Sequence, residues 1–153
     1  MYNKEESKQL RIEFWDRFEK YSAIRRRQKG KPAKWIMNKT GIKPMKLKFH
    51  FDQDHASVGI DIETRNMDKR LFIFEKLEEM KNILEKMVDE KMKWELEFIL
   101  PTGKSISRIC IEKNNVSIYD KSSWPDVFSF FYKKMNKIEQ FVEEYREVIK
   151  QSH

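Results

Sequence analysis

Cysteine, glycine and proline are scarce in this chain of 153 residues, which contains one cysteine, four glycines and four prolines. Because the single cysteine, Cys110, cannot form an internal disulfide, we expect a reducing, cytoplasmic environment. The few glycines and prolines favour long helices and strands joined by few turns. Four glycines also provide no glycine-rich loop of the kind that binds phosphate groups.

The chain also lacks a long apolar run and an apolar N-terminus. No apolar segment approaches the roughly 20 residues that span a bilayer, and the first ten residues are polar and charged, so we expect neither a membrane segment nor a signal peptide. Aromatic residues, by contrast, make up 13% of a chain with 37% charged residues. This apolar surface argues against disorder and predicts a single domain over residues 1–153.

Acidic residues are absent from residues 20–51, which hold 11 of the chain's 32 basic residues. The other 21 basic residues are outnumbered by 25 Asp and Glu, so the chain has one basic segment on a mildly acidic remainder. A formal net charge of +7 suits an anionic partner such as nucleic acid. A protein with an ordinary basic face is the alternative interpretation.

Apolar residues at helical spacing predict three helices, over residues 5–27, 67–91 and 123–150. Their apolar stripes are Leu10, Phe14, Phe18 and Tyr21; Ile73, Leu77, Met80, Leu84 and Met87; and Phe128, Phe131, Met135, Ile138, Phe141, Tyr145 and Val148. Arg25 to Arg27 end the first helix, where basic residues interact favourably with the helix dipole.

Alternating apolar residues predict two antiparallel hairpins. In the first, the predicted pairs are Leu47 with Ile62, Phe49 with Ile60, Phe51 with Val58, Lys46 with Glu63 and Lys48 with Asp61, around a loop from Asp52 to Ser57. In the second, they are Trp94 with Ile111, Leu96 with Ile109, Phe98 with Ser107, Glu97 with Arg108 and Ile99 with Ile106.

A turn at Asn114-Asn115 predicts a short fifth strand, Val116–Tyr119, because Asn tolerates the positive φ of such turns. The resulting order is α-ββ-α-βββ-α. It predicts an α+β fold in which helices pack on one face of an antiparallel sheet of four to five strands.

Several aromatic and strand segments, in this order and spacing, resemble an uncharacterised bacterial and archaeal domain, a domain of unknown function. They are Phe14-Trp15, Trp35, Val58–Ile62, Phe74-x-x-Leu77, Trp94-Glu95, Ser107–Ile109 and Trp124. The resemblance covers nearly the whole chain. It implies association with PD-(D/E)XK nuclease-like domains, which this domain often follows, and hence with nucleic acid or defence against foreign DNA. It supplies no catalytic residues, and we expect this chain to stand alone.

Nuclease chemistry of the PD-(D/E)XK kind needs a strand on which a carboxylate is followed two residues later by Lys. Asp61 with Glu63, and Glu95 with Glu97, lie on predicted strands but lack that Lys. The spacing occurs at Glu79 and Lys81, on a predicted helix. We therefore expect a non-enzymatic protein with no catalytic residues and no cofactor, and keep a nuclease-related enzyme as an alternative.

The first hairpin loop carries two histidines and two aspartates: His50, Asp52, Asp54 and His55. Such side chains bind metals when they converge. A short polar loop with His50 on the polar face fits a solvated turn better, so we expect no metal site.

The basic segment contains the candidate nucleic-acid contacts, which are Arg25, Arg26, Arg27, Lys29, Lys31, Lys34, Trp35, Lys39 and Lys43. Arg and Lys neutralise phosphates, and Trp35 is placed to stack on a base. We predict a non-catalytic module that binds DNA or RNA. Two alternatives stay open: a solvated basic loop, and a module that binds another protein or a second copy of itself through an aromatic helix face or the edge strand Val116–Tyr119.

Overall fold

Helices and strands follow the predicted order in the computed structural model, which describes residues 2–151. The elements are α1 Lys4–Gln28, β1 Met45–Phe51, β2 His55–Ile62, α2 Met67–Glu79, α3 Lys81–Val88, β3 Lys93–Ile99, β4 Ser105–Asn114 and α4 Trp124–Lys150. A 3-10 turn, Lys121–Ser123, precedes α4. The four strands form one antiparallel sheet in the order β1-β2-β4-β3. The predicted α+β fold is confirmed.

The predicted helix over residues 67–91 is two helices, because the chain breaks at Met80. This residue has φ −100° and ψ 13°, and its N–H donates to the Leu77 carbonyl at 3.0 Å. Leu84 stays fully buried beyond the break, whereas its neighbour Ile83 is 40% exposed.

The predicted fifth strand over residues 116–119 is wrong. One backbone bond, from the Ile118 N–H to the Asp52 carbonyl at 2.9 Å, replaces a strand ladder. The Ser117 N–H donates instead to the Ser123 hydroxyl at 3.2 Å. Local side-chain bonds of this kind compete with strand pairing.

Both hairpin registers differ from the prediction. In the second hairpin Trp94 lies opposite Ile109 and Glu95 opposite Arg108, and the register shifts between Glu95 and Phe98. The predicted pair Glu97–Arg108 therefore does not form. An irregularity of this type adds a residue on one strand, which alternation alone does not reveal.

The first hairpin closes more tightly than predicted. The Asp52 N–H donates to the His55 carbonyl at 3.0 Å, which leaves only two residues in the loop. At the other end of the hairpin, the Glu63 N–H donates to the Pro44 carbonyl. Glu63 therefore does not lie directly opposite Lys46, as predicted. The predicted Lys46–Glu63 ion pair still forms at 3.3 Å, because a long side chain reaches its diagonal neighbour. The predicted Lys48–Asp61 pair is wrong, since Asp61 pairs with Arg108.

The chain divides into two compact units. The first comprises Met1–Trp35, His50–Ser57 and Glu112–Lys133. Its centre is the ring of Phe14, which is fully buried. The neighbouring ring centroids lie 4.7 to 6.1 Å away and belong to Phe51, Trp124, Phe128 and Phe131. The aromatic residues that stand out in the composition thus form the core of this unit.

The second unit comprises Ile36–Phe49, Val58–Ile111 and Lys134–His153. Its part of β2 is buried on both faces: Ile60 and Ile62 alternate with Gly59 and Asp61. A methyl group on Gly59 would overlap the Ile109 carbonyl oxygen and lie 2.7 Å from the Cα of Cys110. The backbones of β2 and β4 are therefore packed so closely here that no side chain fits at position 59.

Asp61 is a buried charge in this strand and pairs with an arginine from β4. Arg108 donates from Nε to Asp61 Oδ1 at 2.8 Å and from Nη2 to Oδ2 at 3.0 Å. The ring of Phe98 covers the guanidinium, with its centroid 4.0 Å away. Burial acts to lower the pKa of Arg108, but the bonds and charge of Asp61 outweigh it and raise the pKa.

The helices of residues 2–151 include none that combines the length and the apolar character required to cross a membrane.

Candidate nucleic-acid interface

Arg26, one of the predicted phosphate contacts, faces inward. Its side chain is 2% exposed. The guanidinium donates from Nε to the Pro32 carbonyl at 2.7 Å and from Nη2 to the Lys34 carbonyl at 3.2 Å. The backbone carbonyl of Arg26 accepts from the Lys31 N–H at 2.9 Å. Arg26 thus holds the segment after α1 against the helix from which it emerges.

The segment that follows α1, residues 29–35, is called the basic loop. Gly30 has φ +72° and donates its N–H to the Arg27 carbonyl at 3.0 Å. A left-handed residue just past a helix, usually glycine, is the standard way to satisfy the last carbonyls. The chain can therefore turn back over α1 within a few residues.

Trp35 closes the basic loop and is half-buried. The guanidinium of Arg26 lies over its ring, 4.1 Å from the centroid. The ring of Tyr132 meets it edge-on, with centroids 5.9 Å apart. Trp35 thus already stacks within the protein, which weakens its case as a platform for a nucleic-acid base.

Four of the predicted contacts present their charges around this loop: Arg27, Lys29, Lys31 and Lys34. Arg27, Lys29 and Lys34 are exposed and Lys31 is half-buried. Lys29 lies 5.9 Å from the Tyr132 ring centroid. Among residues 2–151, no carboxylate forms an ion pair with any of these four side chains. Their charges are available to an anion.

Arg25 serves α1 itself. Its guanidinium lies 3.5 Å from the Tyr21 ring centroid, and Nη1 donates to the Tyr21 carbonyl at 3.2 Å. A cation over an aromatic ring is stabilising, and a basic residue in the last turn of a helix interacts favourably with the helix dipole. The interpretation of the arginines as part of the helix end therefore accounts well for this one.

The two remaining predicted contacts, Lys39 and Lys43, belong to the second unit and are exposed. The loop that carries them is organised by Thr40, whose buried hydroxyl bonds the Met45 carbonyl at 2.8 Å. Arg146 Nε donates to the Thr40 carbonyl at 2.6 Å. Lys43 lines a pocket of its own, described below.

Two of the carboxylates considered as nuclease ligands, Asp61 and Glu63, have structural partners. Asp61 is enclosed by Arg108, as described above. Glu63 Oε2 lies 3.3 Å from Lys46 and 3.7 Å from Lys104. These contacts describe a structural role for both side chains.

Within the histidine and aspartate cluster, Asp52 organises the first hairpin turn. Asp52 Oδ1 accepts from the backbone N–H of Asp54 at 2.8 Å and of His55 at 3.0 Å, and lies 3.2 Å from His55 Nδ1. Burial acts to raise the pKa of Asp52, but these bonds and His55 outweigh it and lower the pKa. Over the described part of the chain, no group of three or more metal-binding side chains is arranged to hold an ion.

A family model described as "Domain of unknown function (DUF4268)" matches residues 10–146. The chain belongs to this family. No curated protein and no solved structure matches it. The resemblance drawn from the sequence is confirmed as far as an uncharacterised domain; the family description assigns no activity to any residue.

The inward role of Arg26 was missed in the sequence, although a signal for it exists in this DUF4268 chain. Phe14, Phe18, Ser22 and Arg26 follow one another at intervals of four, and these are the buried residues of α1. Side chains four apart lie on one helix face. The stripe that runs through Tyr21 predicts instead that Arg26 belongs to a solvent-facing basic run.

Proposed function

We propose that this DUF4268 domain is a non-catalytic nucleic-acid-binding module that contacts phosphates through Arg27 at the end of α1 and through Lys29, Lys31 and Lys34 of the basic loop. The observation that carries this proposal is the buried guanidinium of Arg26, which bonds two loop carbonyls. Phosphate contacts are strongest when the groups that make them are held in place before binding. A solvated loop with no role requires no such anchor.

The contacts expected from this loop are with the sugar-phosphate backbone. Lysine and arginine neutralise phosphates without reading sequence. Trp35, which could have added base stacking, is occupied by Arg26 and Tyr132. We therefore expect little preference for base sequence. The association with nuclease-like domains that the family resemblance implies supports the same class of partner.

The test is fluorescence polarisation with a labelled 20-base-pair duplex and the same length of single strand at several salt concentrations. Four phosphate contacts to a duplex predict a slope of about −3 to −4 for log K against log salt. The variant Arg27→Ala/Lys29→Ala/Lys31→Ala/Lys34→Ala should lose most of the affinity and nearly all of that slope.

A control with the same net charge is Lys8→Ala/Arg11→Ala/Lys86→Ala/Lys137→Ala, whose four side chains are exposed outside the loop. Its affinity should stay within about threefold of the starting protein, because distant surface charges act only through screened, long-range attraction. Equal losses in both variants would mean that net charge rather than the loop drives binding, and would contradict the proposal.

A second candidate function is self-association through β3. This strand lies at one end of the sheet, and it exposes Leu96 at 43% and Ile99 at 55%. Open strand edges pair readily with other strands. Light scattering across a dilution series tests it: a dimer that persists in the starting protein and dissociates in Leu96→Lys/Ile99→Lys supports it, and a monomer throughout refutes it.

A further inference from the structure

A second concentration of positive charge lies entirely within the second unit, in a pocket of about 660 Å³. Five basic side chains line it: Lys43, Lys46, Arg65, Lys69 and Lys104. Glu63 is the one carboxylate among the lining residues that the structure describes. The pocket therefore carries a formal charge of +4.

Four separate segments converge to build this pocket. Lys43 lies just before β1 and Lys46 at its start, and Arg65 comes from the loop between β2 and α2. Lys69 lies in the first turn of α2, and Lys104 in the loop between β3 and β4. Because these segments are distant in the chain, the cluster is invisible to any count of local charge.

Glu63 balances only part of this charge. Its Oε2 lies 3.3 Å from Lys46 Nζ and 3.7 Å from Lys104 Nζ, so one carboxylate serves two ammonium groups. Lys43, Arg65 and Lys69 form no ion pair with any carboxylate of residues 2–151. Like charges gathered without counter-charges repel one another, and a bound anion would remove that cost.

We propose that this pocket binds the di- or triphosphate group of a small molecule. Its volume lies within the ~300–1,000 Å³ typical of small-molecule sites. Arginine grips phosphate oxygens in pairs and lysine adds point charges, and the pocket offers both. The bound group would lie among Lys43, Arg65 and Lys69, with Lys46 and Lys104 shared between it and Glu63.

The lining indicates that the phosphates are recognised and the rest of the molecule is not. The two other lining residues, Pro44 and Thr64, provide no aromatic ring on which a base could stack. A nucleoside triphosphate and inorganic tripolyphosphate should therefore bind with similar affinity. The proposal is independent of the basic loop, which belongs to the first unit.

Isothermal titration calorimetry with sodium tripolyphosphate, ATP and GTP, at low salt and without divalent cations, tests the site. All three should bind with affinities within about fivefold of one another, since a common phosphate group supplies the interaction energy. Sodium sulfate at matched ionic strength should bind at least about tenfold more weakly, because it offers fewer charges to the cluster.

Three variants locate the binding. Arg65→Ala/Lys69→Ala should weaken tripolyphosphate binding about tenfold or more, because it removes two charge-assisted contacts. The charge-matched control Arg11→Ala/Lys86→Ala should change it less than about twofold. Glu63→Gln should strengthen it by about three- to tenfold, because it removes the opposing charge and releases Lys46 and Lys104.

The gain expected from Glu63→Gln keeps the test decisive even if the double variant unfolds, which thermal melting would reveal. Tripolyphosphate that fails to bind at about 5 mM would overturn the proposal. Nucleotides that bind when tripolyphosphate does not would overturn it too, because the nucleoside would then be the recognised part. A 12-nucleotide single strand weakened by Arg65→Ala/Lys69→Ala, with tripolyphosphate silent, would assign the pocket to nucleic acid instead.

Discussion

Three arginines of this protein are inside it rather than on its surface: Arg26 and Arg70 are 2% exposed, and Arg108 is 9% exposed. Each has a different acceptor. Arg26 bonds loop carbonyls, Arg70 bonds the Ser105 carbonyl at 2.7 Å, and Arg108 bonds Asp61. Counting basic residues therefore overstates the charge available to a partner, both inside the basic segment (Arg26) and outside it (Arg70 and Arg108).

Removing one member of the pair Asp61–Arg108 should cost more than removing both. Arg108→Ala removes the two bonds that this guanidinium makes to the buried Asp61, and should lower the free energy of unfolding by about 3–5 kcal/mol. Asp61→Leu/Arg108→Met removes both charges and should cost clearly less. Urea denaturation of the two variants checks this; a double variant as unstable as the single one would contradict it.

Arg26→Ala should loosen the basic loop while α1 remains intact. The carbonyls of Pro32 and Lys34 lose their partner, at about 1–3 kcal/mol for each group left unsatisfied. Arg26→Lys should rescue little, because an ammonium lacks the planar fork that reaches both carbonyls. Hydrogen exchange measures the result: amides of residues 29–35 should exchange faster in both variants, and those of residues 10–20 should not.

Among the elements, β2 tolerates substitution least. Gly59→Ala places a methyl group on the Ile109 carbonyl and against Cys110, so neighbouring strands must separate. We expect a loss of about 3 kcal/mol or more. Gly103→Ala is the comparison, because Gly103 has a left-handed backbone, φ +89°, with open space around it, and should cost about 1–2 kcal/mol. Similar losses in thermal or urea unfolding would mean that the close approach in β2 relaxes easily.

The helices and strands were predictable because their signals are local. The interval of three to four between apolar residues located α1 and α4 to within about a turn. The breaks and registers were not, because they depend on distant partners. No residue near Met80 signals the break between α2 and α3. The partner of Arg108 is Asp61 on the neighbouring strand β2, and not a residue of its hairpin partner β3.

The candidate sites also divide into features that local sequence reveals and features that depend on distant parts of the chain. The basic loop could be located from composition, because its charges lie close together in the sequence. Which of those charges point inward could not be read from composition, as Arg26 shows. The pocket of Lys43, Arg65 and Lys69 was missed because its members come from separate segments that only the fold brings together.

At the scale of the whole molecule, acid should destabilise the protein through a defined group of carboxylates. The pKa values of Glu13, Asp52, Glu63 and Glu85 are lowered in the folded state. For Glu85, burial acts to raise the pKa, but bonds from the Met92 N–H at 2.8 Å and Trp94 Nε1 at 3.1 Å outweigh it. A lowered folded pKa means that the stabilisation is present above the unfolded value and lost as pH falls through the folded one.

Stability should therefore be nearly constant above the ordinary Glu value of 4.5 and fall below it. Glu85→Gln should lower the free energy of unfolding at pH 7 by about 1–2 kcal/mol and flatten this acid dependence. Glu78→Gln, on the exposed side of α2, should change neither. Urea unfolding between pH 3 and pH 7 checks both variants; an unchanged pH dependence in Glu85→Gln would contradict the expectation.

The hydrogen bonds from Arg26 to backbone carbonyls also affect how the sequence of the basic loop can vary. Every residue has a carbonyl, so the bonds to positions 32 and 34 do not depend on which side chains stand there. Mutation can change the number and sign of charges on the loop without changing its path. A substitution at Arg26 would alter the path whatever the loop carried. The loop can thus acquire a new partner by surface substitutions alone, and a single residue on α1 keeps its shape.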